Sequence, residues 1–372
     1  MRKQFIAFAD HLMETEEMFF EMARTTEGSM HHREANVLVH TQMVLDQYYN
    51  LTPADWNISH VEGAFACLFH DVGKPEAEVD KFSEERGAYH SYPGHEIISA
   101  RAWENWIVEN LAQVVLLFPT FCDRGFQSIF NVGWMVEHHL PYCVTNKYKL
   151  ECIFKTGKSI GGNTFANVLV ADGKGRINDN EEAQAIRMQT WMDAYEAYEY
   201  VPYVQHNNGK HLHMFIGPSG VGKSTVITSI ISGWDSNIVS VFSLDQLQLN
   251  WYADLLIMHE PTRYERAHEA AAADPLFQRR WQQEYIKLIK SSVDLIIIDG
   301  TNLTTKHRRF FLDAAKSNKR ETHAAYMTSS LSILEEQQLT RVDKFVTQDV
   351  VRKQHAITQY PSYHEFDVIH LM

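Results

Sequence analysis

The sequence predicts two domains, an all-α domain over residues 1–205 and an α/β domain with a parallel sheet and a helical lid over residues 206–372. Strand signals are nearly absent before residue 211, whereas β-branched runs that suit parallel strands occur after it. The charge balance changes at the same place, because residues 1–205 carry 29 acidic and 16 basic residues and residues 206–372 carry 18 of each. The polar stretch Gln205–Lys210 is typical of a linker.

Composition predicts a globular protein without a membrane segment. The 372 residues are 45% hydrophobic and 22% charged, which indicates a sizeable core. Apolar runs such as Val114–Phe118 are far shorter than a bilayer span, and the N-terminus lacks the apolar core of a signal peptide. Four cysteines without a C-x-x-C pair favour reduced thiols in a cytoplasmic protein. The net charge of −13 argues against a broad, sequence-independent grip on nucleic acid.

The first half of the chain is predicted to form helices joined by polar turns. Apolar residues recur there at helical spacing, and glycine or proline follows several of the runs. We predict helices over residues 10–25, 29–46, 64–74, 95–110, 132–139, 167–174 and 181–200, with a polar loop over residues 76–93.

Histidines and aspartates recur on these helices in the order of a metal site. His40 lies on an apolar helical face, the pair His70-Asp71 ends another helix, and Asp172 lies near the end of a later one. Imidazole and carboxylate groups are ligands of divalent transition metals, and helices can aim several of them at one point. A single histidine on an apolar face is more often structural, so the prediction depends on the combination.

Other residues extend this candidate metal site. His95, together with one of His138 and His139, is predicted to build a second metal position beside the first. Lys74 lies one helical turn beyond His70, where its charge suits a phosphate group under attack. A metal there would lower the pKa of a bound water and polarise a phosphate oxygen. The ligand types accept Mn²⁺, Co²⁺, Ni²⁺, Zn²⁺ or Fe.

Residues 28–180 resemble the HD phosphohydrolase superfamily. The resemblance depends on three motifs in order on helices: H-T at His40, H-D-x-G-K from His70, and A-D-x-x-G around Asp172. It implies an HD-type helical fold in which His40, His70, Asp71 and Asp172 bind metal.

The sequence GPSGVGKST in the second half has the phosphate-binding pattern G-x-x-x-x-G-K-S of a P-loop. Its glycines let backbone N–H groups turn toward phosphate oxygens, Lys223 is expected to reach the β- and γ-phosphates, and Ser224 is expected to bind Mg²⁺. A predicted strand over residues 211–216 precedes the loop and a predicted helix over residues 225–231 follows it, as this motif requires. The predicted ATP·Mg²⁺ site comprises Gly217, Pro218, Ser219, Gly220, Val221, Gly222, Lys223, Ser224 and Thr225.

Strands and helices alternate after the P-loop, as in a parallel α/β domain. We predict strands over residues 238–243, 294–299, 322–327 and 366–371, and helices over residues 306–318, 331–340 and 347–357.

Two aspartates at predicted strand ends bear on the reaction. Motor-type ATPases usually place a catalytic glutamate directly after the acidic residue of the second acidic strand, but here Gly300 follows Asp299. This weakens an ATPase interpretation. Asp245 follows another strand, where it is suited to accept a proton from an attacking hydroxyl. Aspartate is also common at helix N-caps, which is the structural alternative.

The second half is similar to the polynucleotide kinase branch of P-loop phosphotransferases. The similarity depends on D-G-T-N-L from Asp299 with K-x-R-R from Lys306, and on T-R-V-D-K and V-V-R-K-Q, which resemble the lid of that branch. It implies that a lid arginine stabilises the transferring phosphoryl group, with Arg341 the first choice by motif position and Arg352 the second. The sequence departs from the branch at Gln248, where an arginine commonly grips the substrate phosphate.

The two resemblances together imply an HD phosphohydrolase fused to a polynucleotide 5′-kinase, an enzyme that heals RNA or DNA ends for a nucleic-acid ligase. Asp245 would activate a 5′-hydroxyl while Lys223, Arg341 and Mg²⁺ on Ser224 hold the γ-phosphoryl group of ATP. The HD metals would remove a 2′- or 3′-phosphate, or first open a 2′,3′-cyclic phosphate.

Two other interpretations stay open. One is an HD nucleotide phosphohydrolase whose P-loop domain phosphorylates a small metabolite. The other is a regulatory protein whose P-loop senses ATP. The effect of salt on substrate binding separates the first interpretation from an end-healing enzyme. Oligonucleotide binding weakens steeply with added salt, whereas binding of a small metabolite should not.

Overall fold

The computed structural model describes residues 1–26, 34–84, 87–121, 126–141, 144, 146–177, 180–200, 209–233, 238–252, 260–341 and 346–372. The chain divides into two compact units, Met1–Val201 and Pro202–Met372. The predicted boundary at residues 205 and 206 lies outside the described residues, as do Cys122 and Cys143. The described cysteines, Cys67 and Cys152, form no disulfide. Within the described ranges, no helix is both long and apolar enough to cross a membrane.

The N-terminal unit is a helical assembly with one short pair of antiparallel strands. Its elements are α1 (Arg2–Thr15), α2 (Glu17–Arg24), α3 (Val37–Leu51), α4 (Ile58–Phe69), α5 (Lys74–Ala77), β1 (Val79–Ser83), β2 (Gly87–Ser91), α6 (His95–Leu117), α7 (Gln127–Glu137), α8 (Lys147–Gly161), α9 (Asn163–Lys174) and α10 (Glu181–Ala197).

Helix α4 is the central helix of this unit. All of residues 61–69 are buried, because their sequence VEGAFACLF is small or apolar on every face except at one glutamate. That residue, Glu62, accepts hydrogen bonds from Ser128 Oγ and Asn131 Nδ2 of α7, which satisfy its buried carboxylate. The helix is therefore held on all sides, and it carries the His-Asp pair of the candidate metal site at its carboxyl end.

The polar segment predicted as a loop over residues 76–93 contains β1 and β2, so the unit is not wholly helical as predicted. The strands pair antiparallel, with Val79 opposite Ser91. Most side chains of β1 are exposed, including Phe82 at 75%. Such a strand has no buried face and lacks the apolar alternation by which a sequence identifies one.

Several predicted helix boundaries differ from the structure, and two of them have a clear physical reason. The segment predicted as one helix over residues 10–25 is divided between α1 and α2, because Glu16 has an extended backbone. Helix α6 continues past its predicted end near Asn110 to Leu117, and Val114 in this extension is fully buried. Packing of the extension thus overrides the weak sequence signal at that end.

The C-terminal unit has a five-stranded sheet in the order β4-β5-β3-β6-β7, with every neighbouring pair parallel. Its elements are β3 (His211–Ile216), α11 (Lys223–Ser232), β4 (Val239–Ser243), α12 (Leu244–Tyr252), α13 (Glu260–Ala273), α14 (Phe277–Ile289), β5 (Leu295–Asp299), α15 (Thr305–Ser317), β6 (Glu321–Tyr326), α16 (Leu331–Leu339), α17 (Gln348–Ile357) and β7 (Val368–Leu371).

Helices cover both faces of this sheet. Phe215 of β3 belongs to one core cluster with Ile227 of α11, Leu334 of α16 and Val351 of α17. The opposite face packs against α14 and α15 through a group of aromatic rings. Burial on both faces explains why β5 is a continuous apolar run, LIII, before its final aspartate.

The carboxyl ends of three strands form the edge where a site is expected. β3 leads into the P-loop, β5 ends at Asp299, and Asp245 follows the end of β4 by two residues. Because these strands are parallel neighbours, their ends lie at one edge of the sheet, where open α/β sheets bind ligands.

Arg308 of α15 is part of the fold rather than of this edge. It is fully buried, and its guanidinium donates two hydrogen bonds to the Glu365 carboxylate, at 2.8 and 2.9 Å. It also donates to backbone carbonyls, including that of Gln359. The kinase-like stretch K-x-R-R thus contains an arginine that ties α15 to the segment before β7.

We expect Arg308→Ala to lower the free energy of unfolding by about 3–5 kcal/mol, because the buried Glu365 carboxylate would lose its partner. The neighbouring exposed Arg309 provides the matched control, and Arg309→Ala should change stability little. Urea denaturation followed by circular dichroism measures both variants. Equal destabilisation by the two would contradict a structural role specific to Arg308.

Candidate functional site

Two close approaches bring the candidate ligands of the N-terminal unit together. Gly73 lies against the start of α6, where a Cβ atom would lie 2.6 Å from the carbonyl oxygen of His95. Gly175 lies against α3, where a Cβ atom would lie 2.7 Å from a methyl group of Val44. Only glycine fits at either position. The two glycines therefore bring α6 against the end of α4, and the end of α9 against α3.

Four of the predicted ligand atoms face one another at a first position. His40 Nε2 lies 3.3 Å from His70 Nε2 and 3.2 Å from Asp172 Oδ1. Asp71 Oδ2 lies 3.1 Å from His70 Nε2 and 3.5 Å from His40 Nε2. Atoms bound at about 2.0–2.2 Å to a shared ion lie roughly 3.0–3.5 Å from one another, so this spacing fits a metal ion.

The other oxygen of Asp71 faces a second set of ligand atoms. Asp71 Oδ1 lies 3.1 Å from His95 Nε2 and 3.6 Å from His139 Nε2. These two nitrogens are 3.3 Å apart. One carboxylate thus lies between two ligand sets, which suits a site for two metal ions. His138 lies outside the cluster, with its ring stacked on Trp134 at 4.4 Å. Of the two histidines left open by the sequence, only His139 is in the cluster.

The backbone holds the four histidines of the cluster in the same way. A carbonyl oxygen can only accept a hydrogen bond, so each neutral ring carries its proton on Nδ1 and directs the bare Nε2 into the cluster. The Nδ1 atoms lie 2.7–3.1 Å from carbonyl oxygens: Gly175 for His40, Cys67 for His70, Tyr92 for His95 and Val136 for His139. This is the usual outer contact of a metal-binding histidine.

When the rings are neutral, as metal binding requires, this orientation leaves acceptor atoms facing acceptor atoms. Asp71 Oδ1 is buried and makes no well-aligned hydrogen bond within the described residues. Facing Nε2 lone pairs gain nothing from one another without a cation between them. The residues therefore fit a pair of divalent transition-metal ions, which accept imidazole and carboxylate ligands.

Neighbouring basic side chains hold both aspartates ionised. Burial opposes ionisation of Asp71, but His70 and Lys74 hold its pKa well below its usual range. Lys74 Nζ lies 2.8 Å from Asp71 Oδ2, beside the first position. Burial also opposes ionisation of Asp172, but Arg176 holds its pKa well below its usual range. Both carboxylates are thus in the charged form that binds metal.

The histidines differ in their affinity for protons. Burial opposes protonation of His40, but hydrogen bonds to Asp172 and Glu34 raise its pKa to about 9. Burial and the neighbouring His70 lower the pKa of His139 to about 3. A proton and a metal ion compete for His40 Nε2, so metal binding there would release a proton.

Two residues in contact with the cluster were not predicted from the sequence. Arg176 Nε donates a 3.1 Å hydrogen bond to Asp172 Oδ1. Its position four residues after Asp172 is a signal that could have identified it. Glu34 Oε1 lies 3.6 Å from His40 Nδ1 and accepts a 2.7 Å hydrogen bond from the backbone of Ile177. Glu34 lies within the predicted helix over residues 29–46 but precedes α3 in the structure, and no ligand spacing identified it.

The P-loop connects β3 to α11 in the C-terminal unit. Gly220 and Gly222 have φ angles of 95° and 90°, which other residues rarely adopt. Lys223 is buried, and its Nζ donates 2.7 Å hydrogen bonds to the carbonyl oxygens of Gly217 and Pro218. Its ammonium group is therefore held over the loop by groups that a nucleotide phosphate can replace. Ser224 and Thr225 are exposed at the first turn of α11.

A cavity of about 680 Å³ opens beside the P-loop at the carboxyl edge of the sheet. Asp245 and Asp299 line it, together with Ser219 of the P-loop and Lys306 of α15. Tyr264 donates a 2.9 Å hydrogen bond to Asp245 Oδ1. Burial and the charge of Asp245 raise the pKa of the Tyr264 hydroxyl, so it stays a donor. A carboxylate oriented in this way at a cavity can serve as a general base.

Of the predicted lid residues, Arg352 lies on α17 and Arg341 lies just after the end of α16. Ser219 N donates a 2.8 Å hydrogen bond to Gln354 Oε1 of α17, so a side-chain oxygen occupies a direction in which P-loop amides bind phosphate. Tyr264 lines the cavity, and the positive charge of Arg341 opposes the rise in the pKa of the Tyr264 hydroxyl. Arg341 therefore lies near the cavity. Arg352 is half exposed and pairs with Glu335 at 2.6 Å. Residues 342–345 between the two helices lie outside the described residues.

Gln248 supplies no cation to the cavity. It is buried in α12 and is not among the described residues that line the cavity. Its Oε1 has no hydrogen-bond partner within the described part of the chain. An arginine at this position would be needed for the substrate-phosphate contact that the resemblance implies.

Comparisons with known proteins bear on the C-terminal unit. A family model described as an AAA domain matches residues 212–361, a range that contains the P-loop and none of the histidine cluster. Among solved structures, the chain is similar to a gluconokinase from Sinorhizobium meliloti 1021, at 17% identity and a TM-score of 0.30, over 43% of this chain and 81% of that one. No curated protein matches the chain. The C-terminal unit is a P-loop domain with a parallel sheet.

We expect Asp71→Ala to lose two equivalents of bound transition metal, because its carboxylate faces both ligand sets. His139→Ala should lose one equivalent, and the neighbouring His138→Ala should lose none. Inductively coupled plasma mass spectrometry after incubation with Mn²⁺ or Zn²⁺ and desalting measures the metal content. Equal losses from the two histidine variants would contradict the assignment of His139.

Proposed function

We propose that this chain is a bifunctional enzyme that heals nucleic-acid ends. The N-terminal unit would remove a 2′- or 3′-phosphate, or first open a 2′,3′-cyclic phosphate, and the C-terminal unit would phosphorylate a 5′-hydroxyl with ATP·Mg²⁺. One observation carries the proposal. The same chain contains a cluster with two sets of metal ligands around Asp71 and a P-loop beside a cavity that Asp245 lines. Ribonuclease cleavage leaves both kinds of end, so the two activities act on the products of one cut.

Different residues of the N-terminal unit would have different roles in phosphate hydrolysis. Metal ions bound there would supply a water of lowered pKa and polarise a phosphate oxygen. Asp71 presents one carboxylate oxygen to each of the two ligand sets. Lys74, close to Asp71 Oδ2, presents a positive charge that suits a phosphate oxygen. Arg176 keeps Asp172 in its ionised, oriented form.

The residues of the C-terminal unit fit transfer to a hydroxyl. Asp245 would take the proton of the attacking 5′-hydroxyl while Tyr264 fixes its carboxylate. Lys223 would exchange its carbonyl partners for β- and γ-phosphate oxygens. Arg341 would approach the transferring group as the lid closes. Gly300, where a motor ATPase would carry a glutamate to activate water, favours a hydroxyl acceptor.

A kinase acting on a small hydroxyl compound is the second candidate for the C-terminal unit. Gln248 favours it, because the arginine that commonly grips a substrate phosphate in the polynucleotide kinase branch is absent. Against it, Lys306 lines the acceptor cavity and offers another cation for a nucleic-acid phosphate.

We expect Asp245→Asn to slow phosphate transfer from ATP to a 5′-hydroxyl oligonucleotide by about 10²–10⁴-fold, because an amide cannot accept the proton. ATP binding should be retained. Transfer of radiolabel from γ-labelled ATP measures the rate, and Tyr264→Phe is the control that keeps the base and loses only its hydrogen bond. Transfer to nucleosides or sugars, with none to oligonucleotides at low salt, would favour the small-molecule candidate.

We expect Asp71→Ala to abolish phosphate release from 3′-phosphate and 2′,3′-cyclic phosphate oligonucleotides while leaving 5′-phosphorylation intact. Lys223→Ala should have the opposite effect, because each site is built within its own unit. Gel mobility of end-labelled RNA follows both reactions in one assay. If Lys223→Ala left both activities unchanged, an ATP-sensing role would be the better interpretation.

A further inference from the structure

A third cluster of metal-type ligands lies at the amino ends of β3 and β6, the opposite end of the sheet from the P-loop. The parallel register pairs His211 with Glu321 and His213 with His323. Alternate residues of a strand share a face, so all four lie on one face of the sheet. On β7, His370 pairs with Ala325 and lies on that same face. Neighbouring strands thus place four imidazoles and one carboxylate together.

The ligand atoms are close enough to share one ion. One atom from each of His211, Glu321 and His323 lies within 4.8 Å of the other two. His211 Nδ1 is 3.4 Å from Glu321 Oε2, and His323 Nε2 is 3.4 Å from Glu321 Oε1. Atoms about 2.0–2.1 Å from a tetrahedral ion lie roughly 3.3–3.4 Å apart, which is the distance of each imidazole nitrogen from its nearer carboxylate oxygen.

Hydrogen bonding does not satisfy these atoms. His211 Nδ1, Glu321 Oε2 and His323 Nε2 are buried atoms with no hydrogen-bond partner within the described residues. Glu321 is only 1% exposed, so its carboxylate lies out of water. Burying a carboxylate is costly unless a cation or good hydrogen bonds compensate it. Three unsatisfied atoms from three neighbouring residues therefore suit a cation between them.

The two remaining histidines have supporting positions. His323 Nδ1 lies 3.0 Å from His370 Nε2, a contact that fixes the ring and leaves His323 Nε2 directed at the carboxylate. His213 stacks on the ring of His323 at 4.5 Å. His323 is thus held from two sides with one nitrogen free for a ligand.

We propose that His211, Glu321 and His323 bind a divalent transition-metal ion of the Zn²⁺ class, with His370 as the outer partner that orients His323. Two imidazoles and one carboxylate form a ligand set that Zn²⁺ accepts, and water completes the fourth position. This site is separate from the ligand cluster of the N-terminal unit and from the Mg²⁺ position at Ser224.

The ion would join β3 to β6 at the end where their backbone pairing begins. β3 continues directly into the P-loop, so the ion would stabilise the strand that carries the nucleotide site. The free energy of metal binding adds to folding stability, since the unfolded chain has no assembled site.

The test uses the full chain carrying Asp71→Ala, which removes the bridging ligand of the N-terminal cluster. This parent should bind one equivalent of Zn²⁺ after equilibrium dialysis, and Zn²⁺ should raise its thermal midpoint. Co²⁺ should give the visible absorption bands of a tetrahedral site. Adding His323→Ala should remove the equivalent, the shift and the bands, and adding His370→Ala should weaken Zn²⁺ binding about 10–100-fold.

Two further variants distinguish loss of the Zn²⁺ site from loss of folding. Glu321→Gln preserves side-chain size and should lose the Zn²⁺ equivalent while ATP binding reports that the unit is folded. His364→Asn changes a histidine of the same unit outside the cluster and should retain the equivalent. The proposal is overturned if the parent binds no Zn²⁺, or if Zn²⁺ binding survives in both the His323→Ala and Glu321→Gln variants.

Discussion

The N-terminal unit depends on one buried carboxylate, that of Asp71, which faces two sets of nitrogen ligands at once. A charge in that position is stable only if cations surround it on both sides. Lys74 provides one of them, and the ligand sets are arranged to hold others. The fold meets this demand by burying residues 61–69 of α4. The absence of side chains at Gly73 and Gly175 lets α6 approach the end of α4 and lets the end of α9 approach α3.

The C-terminal unit must also place charged groups next to an apolar core, and it does so with a sheet in place of helices. The central strand β5 is apolar up to its final aspartate, and the polar groups of the nucleotide site lie where the strands end. The sheet thus keeps a dry core while offering backbone amides and carboxylates at an accessible edge. The His211, Glu321 and His323 cluster is an exception, because it places ionisable groups at the opposite end of the sheet, where nothing in the P-loop chemistry requires them.

The sequence predicted what local patterns determine, and it missed what depends on distant pairing. The P-loop has a fixed spacing and a recognisable context, and the strand and helix on either side of it formed as predicted. The β1–β2 pair has no buried face, so no alternation marked it. The sequence could not choose between His138 and His139, because a helix end directs adjacent residues apart and only packing against Trp134 separates them. The third histidine cluster depends on the register of β3 against β6, which no local pattern shows.

In the contact between Ser219 and Gln354, a side-chain oxygen of the chain itself takes the place of a phosphate oxygen at the P-loop. An arriving phosphate does not meet a bare amide, since it replaces one oxygen acceptor by another. The gain in free energy is therefore the difference between two hydrogen bonds rather than the whole of one. The displaced oxygen belongs to α17, so nucleotide binding at the loop and the position of α17 are thermodynamically linked. An interaction that favours the position of α17 in which Gln354 contacts Ser219 weakens nucleotide binding, and nucleotide binding disfavours that position by the same free energy.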